Sequence, residues 1–275
     1  MKQQLNETEL KTLLAVSTYV YMTVQQMEDS GIASADWIRR SILECLARRK
    51  RPLLQSKSYG ATLSTVYALN KAGAKYIADH FKTALENIYY PIKISFSSGQ
   101  YFHRLACVDT HISFRKWMAS QNGEVNLYHN DFVALSGQRS DQGLKWQTQI
   151  YFSAKGYIRP DGISQFSINE KRRLCAIEIH RGHDSKRVFE QLKNYLYCLT
   201  HGILENKYKH PNACFVLSIH DNSSTFNGAR KRLLELPEFE GFKPLFLFNR
   251  IDQIKESFSK GWITADGLPS PVFLD

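Results

Sequence analysis

Arg159-Pro160-Asp161-Gly162 and, further along, Cys175-Ala176-Ile177-Glu178-Ile179-His180 hold the residue types best suited to chemistry. Side chains on a strand alternate between faces, so Glu178 and His180 project from one side while Ile177 and Ile179 enter the packing on the other. With Asp161 on a neighbouring strand, two carboxylates and an imidazole converge. Carboxylate oxygens are the ligands that Mg2+ or Mn2+ prefers, and such ions complete their shells with water and phosphate oxygens. Two acids and a base in this arrangement predict metal-dependent phosphodiester cleavage. Carboxylates left unpaired within a buried sheet are costly without a cation, which adds weight to a metal. Taken singly, Asp161 also reads as a turn residue after proline, and Glu178 as an ion-pair partner of Arg172 or Arg173.

The elements that must hold these residues follow from hydrophobic spacing and caps. Asn6-Glu7-Thr8-Glu9 has a capping pattern and opens a helix expected to carry Leu10, Leu13, Leu14 and Ser17 on its inner side. Thr23-Val24-Gln25-Gln26 repeats the cap and starts a short helix ending near Gly31. A third helix is expected from Ser34 to about Arg49, with Ile38, Ile42, Cys45 and Leu46 as one buried stripe. Short strands over 53–59 and 64–69 flank Gly60, and a helix starts at Asn70. Three helices, a hairpin and a helix describe a winged helix-turn-helix over residues 1–94. The third helix of such a module enters the major groove, and its flank and end here carry Arg39, Arg40, Arg48, Arg49, Lys50 and Arg51. A basic helix end interacting with its own dipole is the alternative.

Pro91, Ser97, Ser98 and Gly99 punctuate a connection near residue 95, so a second domain is expected over 95–275. A helix over 101–119 leads into it. Strands are expected over 124–135 and 145–152, followed by the two motif strands. A helix over 185–201, a strand over 213–219, a helix over 223–236 and a last strand over 243–248 complete it. That order gives an α/β domain with a mixed sheet flanked by helices.

Composition sets outer bounds. The 275 residues are 43% apolar, ample for buried cores. Lysine and arginine number 36 against 26 acids, a formal charge of +10 that suits a polyanion partner. Five dispersed cysteines without a Cys-x-x-Cys pair fit reduced thiols and a cytoplasmic setting. No apolar run approaches the ~18 residues of a membrane span, and the N-terminus lacks the apolar core of a signal peptide, so neither membrane insertion nor export is expected.

Pro160-Asp161 followed, after residues 162–177, by Glu178-x-His180 resembles the PD-(D/E)xK nuclease superfamily, whose pattern ends in lysine where this chain has histidine. Gln191-Leu192-Lys193-Asn194-Tyr195 resembles the Gln-x-x-x-Tyr element that some members carry after their catalytic strands. Residues four apart share a helix face, so Gln191 and Tyr195 can both look toward the sheet edge. More widely, a winged helix, then Tyr101-Phe102-His103-Arg104-Leu105-Ala106-Cys107-Val108-Asp109, then the Arg-Pro-Asp and Glu-x-His strands look like the replication-relaxation family, which includes MobC-type plasmid mobilization relaxases. The resemblance spans roughly residues 5–250. It implies a restriction-endonuclease-like catalytic domain that makes a site- and strand-specific nick at a plasmid origin of transfer, with Mg2+ or Mn2+, to start mobilization. Double-stranded and single-stranded DNA, an accessory mobilization protein and a coupling protein are the implied partners, with a homodimer as an option.

In this reading Asp161, Glu178 and the backbone carbonyl of Ile179 hold the ion, which polarises the scissile phosphate and acidifies a water. His180, with an ordinary pKa near ~6.5, is placed to orient or deprotonate that water. Loss of the lysine leaves three options: an inactive fold, a migrated lysine such as Lys193, or replacement by His180, which the family's Glu-x-His form favours. Gln191 and Tyr195 complete the candidate catalytic set. Arg181 is placed to touch a phosphate, and Lys171-Arg172-Arg173 reads as a phosphate rim or a charged turn. Cleavage by water and attack by Tyr157 or Tyr195 both stay open. The rival from another class is a DNA-binding replication or transcription regulator that keeps a nuclease-like fold without catalysis.

Overall fold

The computed structural model describes residues 5–47, 50, 52–140, 143–270 and 272–273, with backbone alone at 135–140 and 143–145. By packing, the chain forms two compact units, Met1–Ile112 and Ser113–Asp275.

The first unit opens with α1 (Glu7–Tyr19), whose capping box is complete: Asn6 accepts from the Glu9 N–H and the Glu9 carboxylate accepts from the Asn6 N–H, both at 2.9 Å. Its buried face is Glu9, Thr12, Leu13, Val16 and Tyr19, so the expected stripe through Leu10, Leu14 and Ser17 is rotated. The helix packs on a strand and a helix that arrive much later in the chain, and those neighbours choose the face. Thr23 and Gln26 form a second capping box at α2 (Val24–Asp29). The third helical stretch is α3 (Ala35–Trp37), a π-helical turn over Ile38–Ile42 and α4 (Leu43–Leu46), with Ser34 capping Trp37. Ile38, Ile42 and Leu46 are buried as expected, and Leu43 joins them. Arg39, Arg40 and Lys50 are exposed, whereas Arg48, Arg49 and Arg51 lie outside the described residues. Strands β1 (Leu54–Lys57) and β2 (Val66–Leu69) pair antiparallel, and α5 (Lys71–Phe81) follows its Asn70 cap. Within the long helix α6 (Ser98–Ser120) the first unit gives way to the second.

In the second unit β3 (Glu124–Asn130) is followed by two hairpins, β4 (Ala134–Ser140) with β5 (Gly143–Trp146) and β6 (Ile150–Tyr151) with β7 (Tyr157–Ile158). Then come β8 (Gly162–Ile168), β9 (Lys171–His180), α7 (Ser185–Thr200), α8 (Ile203–Tyr208), β10 (Phe215–His220), α9 (Ser223–Leu234), β11 (Phe246–Arg250), α10 (Ile251–Glu256) and β12 (Ile263–Thr264). Six strands form one mixed sheet in the order β12-β11-β10-β9-β8-β3. β9, β10 and β11 run parallel, joined through α7–α8 and α9 as parallel neighbours require, and the outer pairings are antiparallel.

Three expected strands change shape. The one over 124–135 stops at Asn130, because Asp131 turns to donate its N–H to the Asp161 carbonyl at 3.1 Å. The one over 145–152 is divided between two hairpins. The last one begins only at Phe246, after a 3-10 run over Pro237–Leu245 in which Pro244 has no N–H to give a ladder. The sheet is buried on both faces. On one face Phe166 of β8 meets Phe114 and Trp117, with Phe258 against Phe114, and the other packs Ile163, Leu174 and Ala176 against Val188, Leu192 and Leu196 of α7 and Ala229 and Leu233 of α9. No helix of the described residues is long and apolar enough to cross a membrane.

Candidate metal centre

The β8–β9 register sets Gly162 opposite Ile177, so Asp161, just ahead of β8, falls level with the end of β9. The Ile179 N–H donates to Asp161 Oδ2 at 2.7 Å. On an extended strand the N–H and C=O of one residue point the same way, so the Ile179 carbonyl also faces this edge. Continuing the register puts Pro160 opposite, and a proline has no N–H to offer that carbonyl. The two motif strands thus bring together Asp161 and the main chain of Ile179.

Glu178 is held from the helix side. Gln191 Nε2 donates to Glu178 Oε2 at 2.6 Å, and the Tyr195 hydroxyl donates to Glu178 Oε1. One turn apart on the inward face of α7, the two residues reach the same carboxylate as their spacing requires. Burial pushes Glu178 well above the usual carboxylate range, the Asp161 charge adds to it, and the Tyr195 hydrogen bond and Arg159 pull it back. The Tyr195 phenol is pushed up by burial first and then by the Glu178 charge.

A third acid, absent from the sequence reading, joins them. Asp131 turns in at the end of β3, and its carboxylate lies 3.6 Å from Arg159 Nη2, while the Arg159 guanidinium sits over the Trp146 ring at 5.2 Å. Asp131, Asp161 and Glu178 are only 3%, 9% and 2% exposed. Arg159 thus stands beside Asp131, and the nearly buried carboxylates of Asp161 and Glu178 lie on adjacent strands. Carboxylate oxygens are the donors a hard divalent cation takes. No sequence signal singled out Asp131, which lies inside the strand expected over 124–135.

His180 shares the Glu178 face of β9, about 6.6 Å along the strand, but its ring lies against His220 with centroids 4.8 Å apart. His220 contacts Ser218 Oγ through Nε2 at 2.8 Å and Thr225 Oγ1 through Nδ1 at 3.3 Å. Burial, helped by His180, carries the His220 pKa down to about 2, so its imidazole is neutral.

Other expected residues stand apart. Lys193 is not brought to the carboxylates: two residues beyond Gln191 is about 200° around a helix, and its amine pairs with Glu190 at 3.6 Å. Arg181 lies 3.7 Å from Asp221, whose carboxylate also accepts from the Gly182 N–H. Arg172 and Arg173 open β9 opposite Ser167 and Phe166, about 17–20 Å along the strand from Glu178, so neither is its ion-pair partner. Tyr195 is buried with its hydroxyl committed to Glu178, whereas Tyr157 is exposed on β7. Comparison of the chain with protein-family models, curated proteins and solved structures finds no match in any of the three.

Proposed function

We propose that the second unit is a divalent-metal-dependent DNA endonuclease centre, and that the protein makes the site- and strand-specific nick at a plasmid origin of transfer that its motifs imply. The observation that carries the reading is the placing of two nearly buried acids on adjacent strands, Asp161 held by the Ile179 N–H and Glu178 held by Gln191 and Tyr195. A helix, the antiparallel strands β3, β8 and β9, a second helix and the parallel β10 support a restriction-endonuclease-like domain. Three helical segments, the β1–β2 hairpin and α5 support an N-terminal winged helix. Its exposed Arg39, Arg40 and Lys50 would neutralise DNA phosphates. Accessory and coupling proteins, and a cytoplasmic site of action, belong to the same reading.

Asp161, Glu178 and the Ile179 carbonyl would hold Mg2+ or Mn2+, with Asp131 as a further acid. When bound, the ion supplies Lewis-acid polarisation of the scissile phosphate. Gln191 and Tyr195 fix the rotamer of Glu178, so its oxygens meet a ligand without reorganising. Arg159 places a permanent positive charge beside the acids, a role that the superfamily pattern gives to a lysine. Water attacks phosphorus, the strand's bridging oxygen leaves, and the water's proton passes to a base, for which His180 on the Glu178 face is the candidate. Hydrolysis is favoured over attack by Tyr195 because that hydroxyl already serves Glu178.

The second reading, a DNA-binding regulator with an idle nuclease-like fold, draws support from the packing of His180 on His220. Incubation of supercoiled plasmid carrying the cognate origin with Mn2+ separates the two. The enzyme relaxes it, and Asp161→Ala and Glu178→Ala do not. A wild type that shifts this DNA in a gel and never cuts it belongs to the regulator class.

A further inference from the structure

The β6–β7 hairpin stands immediately before the motif that carries Asp161, and its two faces differ sharply. Ile150 and Ile158 form a cross-strand pair turned inward, 2% and 4% exposed, and they belong to the core under α7. Their neighbours Tyr151 and Tyr157 form the outer pair, 38% and 47% exposed, with ring centroids 5.7 Å apart. Alternation along the strand puts Arg159 on the Tyr157 side, about 6.6 Å further on. There the guanidinium lies over the Trp146 ring and beside Asp131. Lys155 is exposed at the hairpin tip. Gln149 donates to the Tyr151 hydroxyl at 2.9 Å and itself accepts from Lys207 at 3.0 Å through its carbonyl, which braces the outer face.

The hairpin is held by its inner isoleucines, so two large exposed rings are not needed to fold it. Flat π surfaces of this kind take nucleobases, and a guanidinium takes a phosphate. In a duplex the faces of the bases are covered by their own neighbours, and only an unpaired stretch can offer them to tyrosine. Lys155 at the tip and Arg159 beyond β7 add positive charge on this side that suits a polyanion.

We infer that Tyr151, Tyr157 and Arg159 form a stacking shelf that binds a single strand of DNA and leads it toward Asp131, Asp161 and Glu178. The inference rests on the proposed action of these carboxylates on DNA, and it adds the surface that takes the unpaired strand. Duplex binding belongs to other parts of the chain, and the shelf discriminates by the absence of pairing.

The test uses the full chain and fluorescence anisotropy with a labelled oligothymidylate and a duplex of the same length. The variant carrying both Tyr151→Ala and Tyr157→Ala should lose single-strand affinity by about tenfold or more, as expected for removal of base–aromatic stacking. Its duplex affinity should stay within about twofold of wild type, a margin well under that stacking effect. Tyr157→Phe keeps the ring and should bind like wild type, whereas Tyr157→Leu keeps apolar bulk without the flat face and should weaken binding. These single changes also cover the case in which the double variant fails to fold. Mn2+ binding, read by electron paramagnetic resonance, should be unchanged in every variant. A wild type that binds no Mn2+ removes the nuclease reading, and the oligonucleotide result then decides the shelf alone. Unaltered single-strand affinity in the leucine and alanine variants, an equal loss for duplex, or no binding of oligothymidylate by wild type, as for a surface that serves a protein partner, overturns the inference.

Discussion

Strand β9 is buried on both sides, and its two faces are built from opposite chemistry. Cys175, Ile177 and Ile179 face an aromatic cluster in which Phe114 meets Phe166 at 5.3 Å and Phe258 at 5.2 Å, with rings crossed edge to face. Leu174 and Ala176 begin the other face in the same apolar way, and Glu178 and His180 end it among Tyr195, Ser218 and His220. Apolar packing tolerates variation in detail, whereas each buried polar group needs its own partner or costs stability. Glu178 therefore sits between two donors from α7, and His220 between two hydroxyls. A face so expensive to furnish, next to one made of phenyl rings, marks where local rules were broken for function.

Substitutions sharpen that contrast. Asp161→Ala should lower plasmid nicking at least a thousandfold, about 4 kcal/mol of barrier, while the unfolding free energy falls far less. Equal damage to both would reduce Asp161 to a strut. Phe166→Ala on the opposite face should show the reverse pattern: about 3 kcal/mol lost in urea unfolding from transfer and cavity costs, with the per-molecule rate of the folded fraction preserved.

Titration separates the faces next. The folded protein holds a proton on Glu178 that the unfolded chain releases near the ordinary value of 4.5. Stability without metal is therefore greatest below that value, and it falls as pH climbs toward the raised pKa of the folded state. Denaturation midpoints between about pH 5 and about 8 should record this fall in wild type and a flatter profile in Glu178→Gln. Mn2+ at a hundredfold over its dissociation constant should return about 2.7 kcal/mol to wild type and little to the glutamine variant. A wild-type profile without slope would mean that Glu178 is ionised throughout. The smallest effect belongs to Lys193→Ala, which should alter stability by about 0.5 kcal/mol or less and leave nicking intact, because its amine meets Glu190 on the outer side of α7.

Much of this layout was legible in the chain wherever its cause is local. Both N-terminal capping boxes depend on residues three apart. The inward pairing of Gln191 with Tyr195 depends on a single turn of helix, and the placing of Asp161 near Glu178 depends on one antiparallel turn between adjacent strands. What escaped was decided by distant partners. Asp131 reaches the acids only because β3 pairs with β8 across two inserted hairpins, and His180 meets His220 only because β10 lies parallel to β9 in that register. The inner face of α1 was set by neighbours that a periodicity cannot see, and only the first residues of the strand expected over 243–248 yielded to the 3-10 run that contains Pro244. The lysine missing from Glu178-x-His180 left an inactive fold, Lys193 or, as the favoured option, His180 itself, whereas the charge beside the acids comes from Arg159, already present in the motif and unassigned.

Anomalous diffraction from crystals soaked in Mn2+ tests the central claim most directly. A cation should stand between the carboxylates of Asp161 and Glu178, within bonding distance of the Ile179 carbonyl, and it should vanish in Glu178→Gln. Anomalous density absent from that position at saturating Mn2+, with Glu178 still joined to Gln191 and Tyr195, would contradict it.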